Sequence, residues 1–225
     1  MGECFLCHAA VPKSQVTRHV KACLKKRAAG PGKPVKLLQL AVEGRYRPEY
    51  WMQVEIPGAW TLDDLDSFLR ETWLECCGHM SCFTIGGERY AYEPYEDSFS
   101  GRREQSMDVK LYKALAGEAK CTHEYDYGST TELALRVVGA HEAPWTGKAV
   151  RILARNAPPV FRCATCAAEA TLLDASDGGL DPDRCYCRAC AKKADEEGGM
   201  WLPIVNSPRV GVCGYCGERN TAGLS

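Results

Sequence analysis

"YWMQVEIPGAWTLDDLDSFLRETWL" (50–74) decides the fold class. Its opening, "YWMQVEI" (50–56), is rich in aromatic and β-branched residues and reads as a strand. "PGAW" (57–60) is a turn. From Thr61 the period becomes helical: Leu62, Leu65, Phe68, Leu69 and Trp73 share one face. Thr61 can cap this helix, and Asp63 and Asp64 suit the positive end of its dipole. A helix with a single apolar face, entered from a strand, is built to pack on a sheet.

Outward from this stretch, "VKLLQLAV" (35–42) reads as a strand joined to 50–56 by a polar loop. "CFTIGGERYAY" (82–92) reads as two strands with Gly86 and Gly87 at the turn. "VKLYKALA" (109–116) reads as a short helix. "CTHEYDYG" (121–128) and "TELALRVVG" (131–139) form another strand pair, with Leu133, Leu135 and Val137 alternating. This order implies an α+β domain with a mixed or largely antiparallel sheet and one main helix, in a β-grasp-like arrangement. "RAAGPGKP" (27–34) reads as a linker and "NAPP" (156–159) as a second break. They divide the chain into 1–34, 35–155 and 156–225, the outer two being small zinc modules.

With 45% apolar and 25% charged residues the composition is that of a soluble globular protein. No run approaches the ~18 apolar residues of a membrane span. The N-terminus has no apolar signal core, so the cytoplasm, with reduced thiols, is the expected location. Fourteen cysteines in that setting favour metal over disulfides. Charge is uneven: residues 1–34 hold seven basic residues against one acidic, a net +6, within a chain of net −1. Such a head points to an anionic partner.

The head places Cys4, Cys7, His19 and Cys23 at spacings of two, eleven and three. A tight Cys-x-x-Cys turn plus two ligands at i and i+4 on a helix closes a tetrahedron, so a structural zinc is expected. Ser14 is the expected helix cap, and Phe5, Val16 and Val20 the expected small core. His8 is too close to Cys7 to replace His19 comfortably. Lys13, Arg18, Lys21, Lys25, Lys26 and Arg27 could neutralise phosphates. One finger reads only about three base pairs, so sequence-specific recognition by it alone is not expected. Nucleic acid and a protein partner remain equal alternatives, and the oligomeric state is not legible.

The tail carries Cys163, Cys166, Cys185, Cys187, Cys190, Cys213 and Cys216. The set Cys163, Cys166, Cys187 and Cys190, spaced two, twenty and two, is the preferred zinc ribbon. Cys163 and Cys166 with Cys213 and Cys216 is the alternative, and the remaining thiols could complete a second site. Two or more zinc ions per chain are expected.

"ECCGHMSC" (75–82) fits no closed metal spacing. A Cys–His nucleophile pair and a third zinc site with Cys121 or His123 are the alternatives to simple core packing, which is the preferred reading. Glu124 and Asp126 are two apart on a strand; Asp126 most simply bonds the backbone at a Gly turn. His79 and Asp126 are the weak candidates for acid–base chemistry. No phosphate-cradling loop, nucleophile elbow or zincin motif occurs.

"QVEIPGAWTLDDL", "CFTIGGERY" and "YDYGSTTELALRV", in that order, resemble the plasmid pRiA open-reading-frame-three family. "LPIVNSPRVGVCGYCG" (202–217) resembles the cysteine-containing end of some members. The resemblance implies an α/β domain of plasmids and mobile elements, with no settled reaction. It also implies a histidine before the Phe-Thr-Ile-Gly-Gly strand, matched by His79, and a turn matched by Tyr125, Asp126, Tyr127 and Gly128. Members show acidic residues after the central helix where this chain has Cys76, Cys77 and Cys82. The expectation is a zinc-binding, non-enzymatic protein of a mobile-element setting that contacts nucleic acid through Arg18, Lys21, Lys25, Lys26 and Arg27. A protein adaptor and an enzyme using the middle domain are the alternatives.

Overall fold

The computed structural model describes residues 1–27, 32–95, 103–117, 120–194 and 198–217. Half of the expected linker at 27–34, residues 28–31, lies outside them. The fold is α+β with a large mixed sheet and few helices. Strands β1 (Gly2–Cys4), β2 (Ala10–Val11), β3 (Pro34–Gly44), β4 (Trp51–Pro57), β5 (Ser81–Ile85), β6 (Glu88–Ala91), β7 (Gln105–Ser106), β8 (Lys120–Tyr125), β9 (Thr131–Pro144) and β10 (Arg151–Asn156) form one sheet. Its order is β2-β1-β10-β4-β3-β9-β8-β5-β6-β7. Every neighbouring pair is antiparallel except β6 with β7. The helices are α1 (Lys13–Lys26), α2 (Leu62–Leu69), α3 (Leu111–Ala114) and α4 (Arg188–Ala194). Among the described residues no helix is long and apolar enough to cross a membrane.

The chain forms two compact units. The first comprises Met1–Phe68 and Met80–Ala157; the second comprises Leu69–His79 and Pro158–Ser225.

In the first unit, Thr61 caps α2 as a reciprocal box. Thr61 Oγ1 accepts from the Asp64 amide at 3.1 Å, and Asp64 Oδ2 accepts from the Thr61 amide at 2.7 Å. Leu62 and Leu65 are fully buried, worth roughly 2 kcal/mol each. Asp66 lies among them and meets Nε2 of the buried His123 of β8 at 2.6 Å, which gives each of these buried polar side chains a partner in the other. Gly86 and Gly87, at φ +58° and +89°, make the β5–β6 turn, which only glycine enters without strain.

The other sheet face is polar. Gln39 stands opposite Glu55 and Ala41 opposite Gln53, while Arg136 of β9 pairs with both Ala41 and Lys120. Helix α1 lies on this face, where Thr17 Oγ1 accepts from Gln53 Nε2. Val11, Val16 and Val20 pack with Cys4, Trp51, Leu153 and Ala154, so the finger shares its core with the sheet.

Two local expectations change. Phe5 is 40% exposed rather than in that core. It extends β1, its amide donating to Leu153 O at 2.8 Å, and strand alternation turns Cys4 inward and Phe5 outward. The cap position of α1 is Pro12, not Ser14, and no side chain caps the helix. Pro12's ring holds φ at −65° before Lys13, which starts the helix early and leaves Ser14 inside its first turn.

In the second unit, the chain from α2 widens into a π-helical turn at Arg70–Leu74. Strands β11 (Leu172–Asp174), β12 (Cys185–Tyr186) and β13 (Trp201–Pro203) form a small sheet in the order β12-β11-β13. Leu173 of the central strand and Cys185, opposite it on β12, are fully buried.

Candidate metal centres

Three Cys/His groups are positioned to hold metal ions: Cys4, Cys7, His19 and Cys23; Cys163, Cys166, Cys187 and Cys190; and Cys76, Cys77, His79 and Cys213. Within each, all four ligand atoms lie within 4.8 Å of one another.

The first group is built by a turn and a helix. The amides of Cys7 and His8 both point at Cys4 O, at 3.4 and 2.7 Å, folding Cys4 and Cys7 into one knuckle. His19 and Cys23, one turn apart on α1, face it. Cys7 Sγ is 3.2 Å from His19 Nε2 and 3.7 Å from Cys23 Sγ, and Cys23 Sγ is 3.4 Å from His19 Nε2. A tetrahedral zinc with thiolates at about 2.3 Å has edges of about 3.8 Å between sulfurs and about 3.5 Å from sulfur to nitrogen. The spacing matches that polyhedron and is far too long for a disulfide; all fourteen cysteines are free. A backbone hydrogen bond at Ala9, then His19, draws the Cys7 thiol down to about 7, while burial and then Cys7 push Cys23 up to about 11. Opposite displacements are expected when neighbouring thiols compete for negative charge, and a divalent cation removes that competition. His8, the competing imidazole, points to solvent and pairs with Glu3 at 2.9 Å.

The second group repeats the arrangement in the tail. A Cys163–Cys166 knuckle faces Cys187 and Cys190 around the start of α4, with Cys166 Sγ 3.7 Å from Cys187 Sγ. The backbone at Cys187, then at Cys166, draws Cys163 down to about 6, and hydrogen bonds from Cys166 and Cys187 push Cys190 up to about 12.

The third group joins residues that no local spacing connects. Cys76, Cys77 and His79 follow the π-helical turn, and Cys213 comes from the end of the tail. His79 Nε2 is 3.3 Å from Cys213 Sγ. Burial, then Cys76, raises the Cys213 thiol. Neither Cys121 nor His123 belongs to it: Cys121 is buried in β8, and His123 is held by Asp66. The signal that finds this group is a Cys-Cys-x-His tetrad one ligand short, alongside a Cys-x-x-Cys pair left over in the tail.

Two tail thiols stand outside the groups. Cys185 is fully buried and donates to Asp181 O at 3.3 Å; Cys216 is exposed and donates to Gly214 O at 3.2 Å. Asp126 is a turn former at φ +65°, accepting from the Gly128 and Ser129 amides at 3.1 and 3.2 Å. Cys82 is buried beside Glu124, and burial pushes its thiol up to about 11, the opposite of an activated nucleophile.

The basic residues Arg18, Lys21, Lys25, Lys26 and Arg27 are all exposed. Lys13 is engaged instead, by Glu43 at 2.5 Å and Pro48 O at 2.6 Å. Arg151 salt-bridges the buried Glu55 at 2.6 Å and lies 4.4 Å over the Trp145 ring. Burial first, and then the nearby Arg27 charge, hold its guanidinium below the ordinary range, so the C-terminal end of α1 adjoins a further cation.

No curated protein matches the chain. Among solved structures, a protein of unknown function from Methanosarcina mazei Go1 is similar at 18% identity and a TM-score of 0.42, over 55% of this chain and 69% of that one. The model of the plasmid pRiA4b ORF-3-like proteins matches residues 36–182, spanning the sheet from β3 onward, the π-helical turn and the first tail knuckle, and the chain belongs to that family.

Proposed function

We propose that this is a non-enzymatic zinc protein of a plasmid or mobile-element setting that binds nucleic acid through the outer face of α1. Zinc in the first two groups follows from their donors: three thiolates and an imidazole in one, four thiolates in the other, each a closed tetrahedral set that leaves no position for a substrate. The observation that carries nucleic-acid binding is the helix itself. Arg18, Lys21 and Lys25, spaced three and four, form one exposed stripe, continued by Lys26 and Arg27, and α1 contains no acidic residue. Metal at one end and the sheet beneath hold this stripe rigid. Lys120 and Arg136 line a 630 Å³ groove with Glu43, Thr84 and Thr122 on the same sheet face, extending the positive surface.

The test is binding of the full zinc-loaded chain to short DNA and RNA oligonucleotides across a salt series. Five phosphate contacts predict a slope of log K against log salt of about −4.5, and Lys25→Ala with Lys26→Ala should reduce it by about 2. Affinity that ignores salt and both substitutions would exclude this reading. Co-purification of a stoichiometric protein partner by that same face would favour the adaptor alternative.

A further inference from the structure

We propose that Cys76, Cys77, His79 and Cys213 form a third zinc site, a structural centre of three thiolates and one imidazole whose surplus negative charge is balanced by the buried Arg209. It goes beyond the finger and ribbon and does not depend on nucleic-acid binding.

The ligand loop is built in advance. Arg70 donates from Nε and Nη2 to Glu75 Oε2 at 2.8 and 2.6 Å, and Glu75 Oε1 accepts from the Gly78 amide at 2.6 Å. Gly78, at φ +77°, turns the chain between Cys77 and His79. This network fixes the loop from behind, as outer-shell partners fix metal ligands. On the other side, Cys213 and Gly214 are both left-handed, at φ +50° and +68°. A left-handed cysteine is strained, and such strain persists only where something holds it.

The electrostatics point the same way. Zn²⁺ with three thiolates and a neutral imidazole carries a net charge of −1. Arg209 is fully buried, and its Nη2 donates to Cys76 Sγ at 3.3 Å. A buried guanidinium N–H makes its stronger hydrogen bond to an anionic acceptor. A metal-bound thiolate supplies one, whereas a neutral thiol is a weak acceptor. Arg209 is positioned by its own segment: its amide donates to Ser207 Oγ at 2.9 Å, and Ser207 Oγ donates to Trp73 O at 2.6 Å, at the end of the π-helical turn. Metal and hydrogen bonds thus clamp the same two segments, which are 134 residues apart at His79 and Cys213. Soft donors in a closed tetrahedral set select zinc in a structural role.

The full chain, purified without chelator, should carry three zinc ions by native mass spectrometry and elemental analysis. Two ions in the wild-type chain would overturn the proposal without recourse to any variant. Cys77→Ser should lower the count by one, while Cys216→Ser should leave three; a Cys77→Ser chain that keeps three would also overturn it. Arg209→Gln should weaken retention of one ion against a competing chelator by roughly 10–100-fold, with Arg209→Lys intermediate and the other two ions unchanged. Equal retention in wild type and Arg209→Gln would remove Arg209 from the site.

Discussion

His8 and Ala167 share one backbone conformation, each at φ +57°. Each follows the second cysteine of a Cys-x-x-Cys pair. Each amide turns back to the first cysteine's carbonyl, at 2.7 Å in His8 and 2.9 Å in Ala167. The first cysteine's amide then donates two residues past the second, Cys4 to Ala9 O at 3.0 Å and Cys163 to Ala168 O at 2.7 Å. Both knuckles therefore converge their sulfurs by the same left-handed reversal.

That reversal is testable at Ala167, whose side chain carries no chemistry. A non-glycine residue pays roughly 1–2 kcal/mol in this region. Ala167→Gly should leave the tail as stable as before or firmer by up to about 1 kcal/mol, part of the relief being lost to the unfolded chain's freedom. Ala167→Val should cost about 1 kcal/mol or more, because a β-branched residue fits this region worst. Thermal unfolding of the zinc-loaded chain, with zinc retention against a chelator, reads both. Equal behaviour of the two variants would show that the knuckle does not need the left-handed turn.

Thiol chemistry sorts the cysteines. The three groups take ten of the fourteen, leaving Cys82, Cys121, Cys185 and Cys216. Cys216 alone of these four is exposed. Burial pushes Cys82 to about 11 and Cys121 to about 12, so at pH 8 only roughly a thousandth or less of either is thiolate. Iodoacetamide at pH 8 should therefore label the metal-loaded chain once, at Cys216, and label the ten grouped thiols only after chelation. Raising the pH towards 11 should bring in Cys82 before Cys121. Peptide mapping gives the order, and early labelling of Cys166 or Cys213 in the metal-loaded chain would contradict it.

What the sequence shows clearly is local. The Thr61–Asp64 box, the Gly86–Gly87 turn and the Cys4–Cys7 and Cys163–Cys166 knuckles each complete their hydrogen bonds within a few residues. The Cys76, Cys77, His79 and Cys213 cluster is not local, because its fourth ligand arrives from the far end of the chain. Phe5 misleads for a related reason. Its apolar character suggests a core, but the core under α1 is supplied by Trp51, Leu153 and Ala154 from distant strands. The strand order is likewise hidden, since β1 joins β10 across more than 140 residues of chain.

The junction of finger and sheet depends on Gly2. A Cβ there would lie 2.3 Å from Arg155 O and 2.5 Å from the Trp51 ring. Neither neighbour can yield easily. Arg155 is in β10, in register with Glu3, and Trp51 is 4% exposed, its amide held by Asn156 Oδ1 at 3.0 Å. Gly2→Ala should therefore weaken the pairing of β1 with β10 by about 1–3 kcal/mol, the usual cost of overpacking. Cys4, Cys7, His19 and Cys23 are not themselves touched, so the finger should keep its metal. Hydrogen exchange at the amides of β1 and β10 should quicken by roughly 5–150-fold, with the zinc count unchanged. Trp51→Leu, which shortens the obstructing ring, should recover part of the lost protection in the double variant. Protection in Gly2→Ala equal to wild type would mean that the finger does not depend on this contact for its place on the sheet.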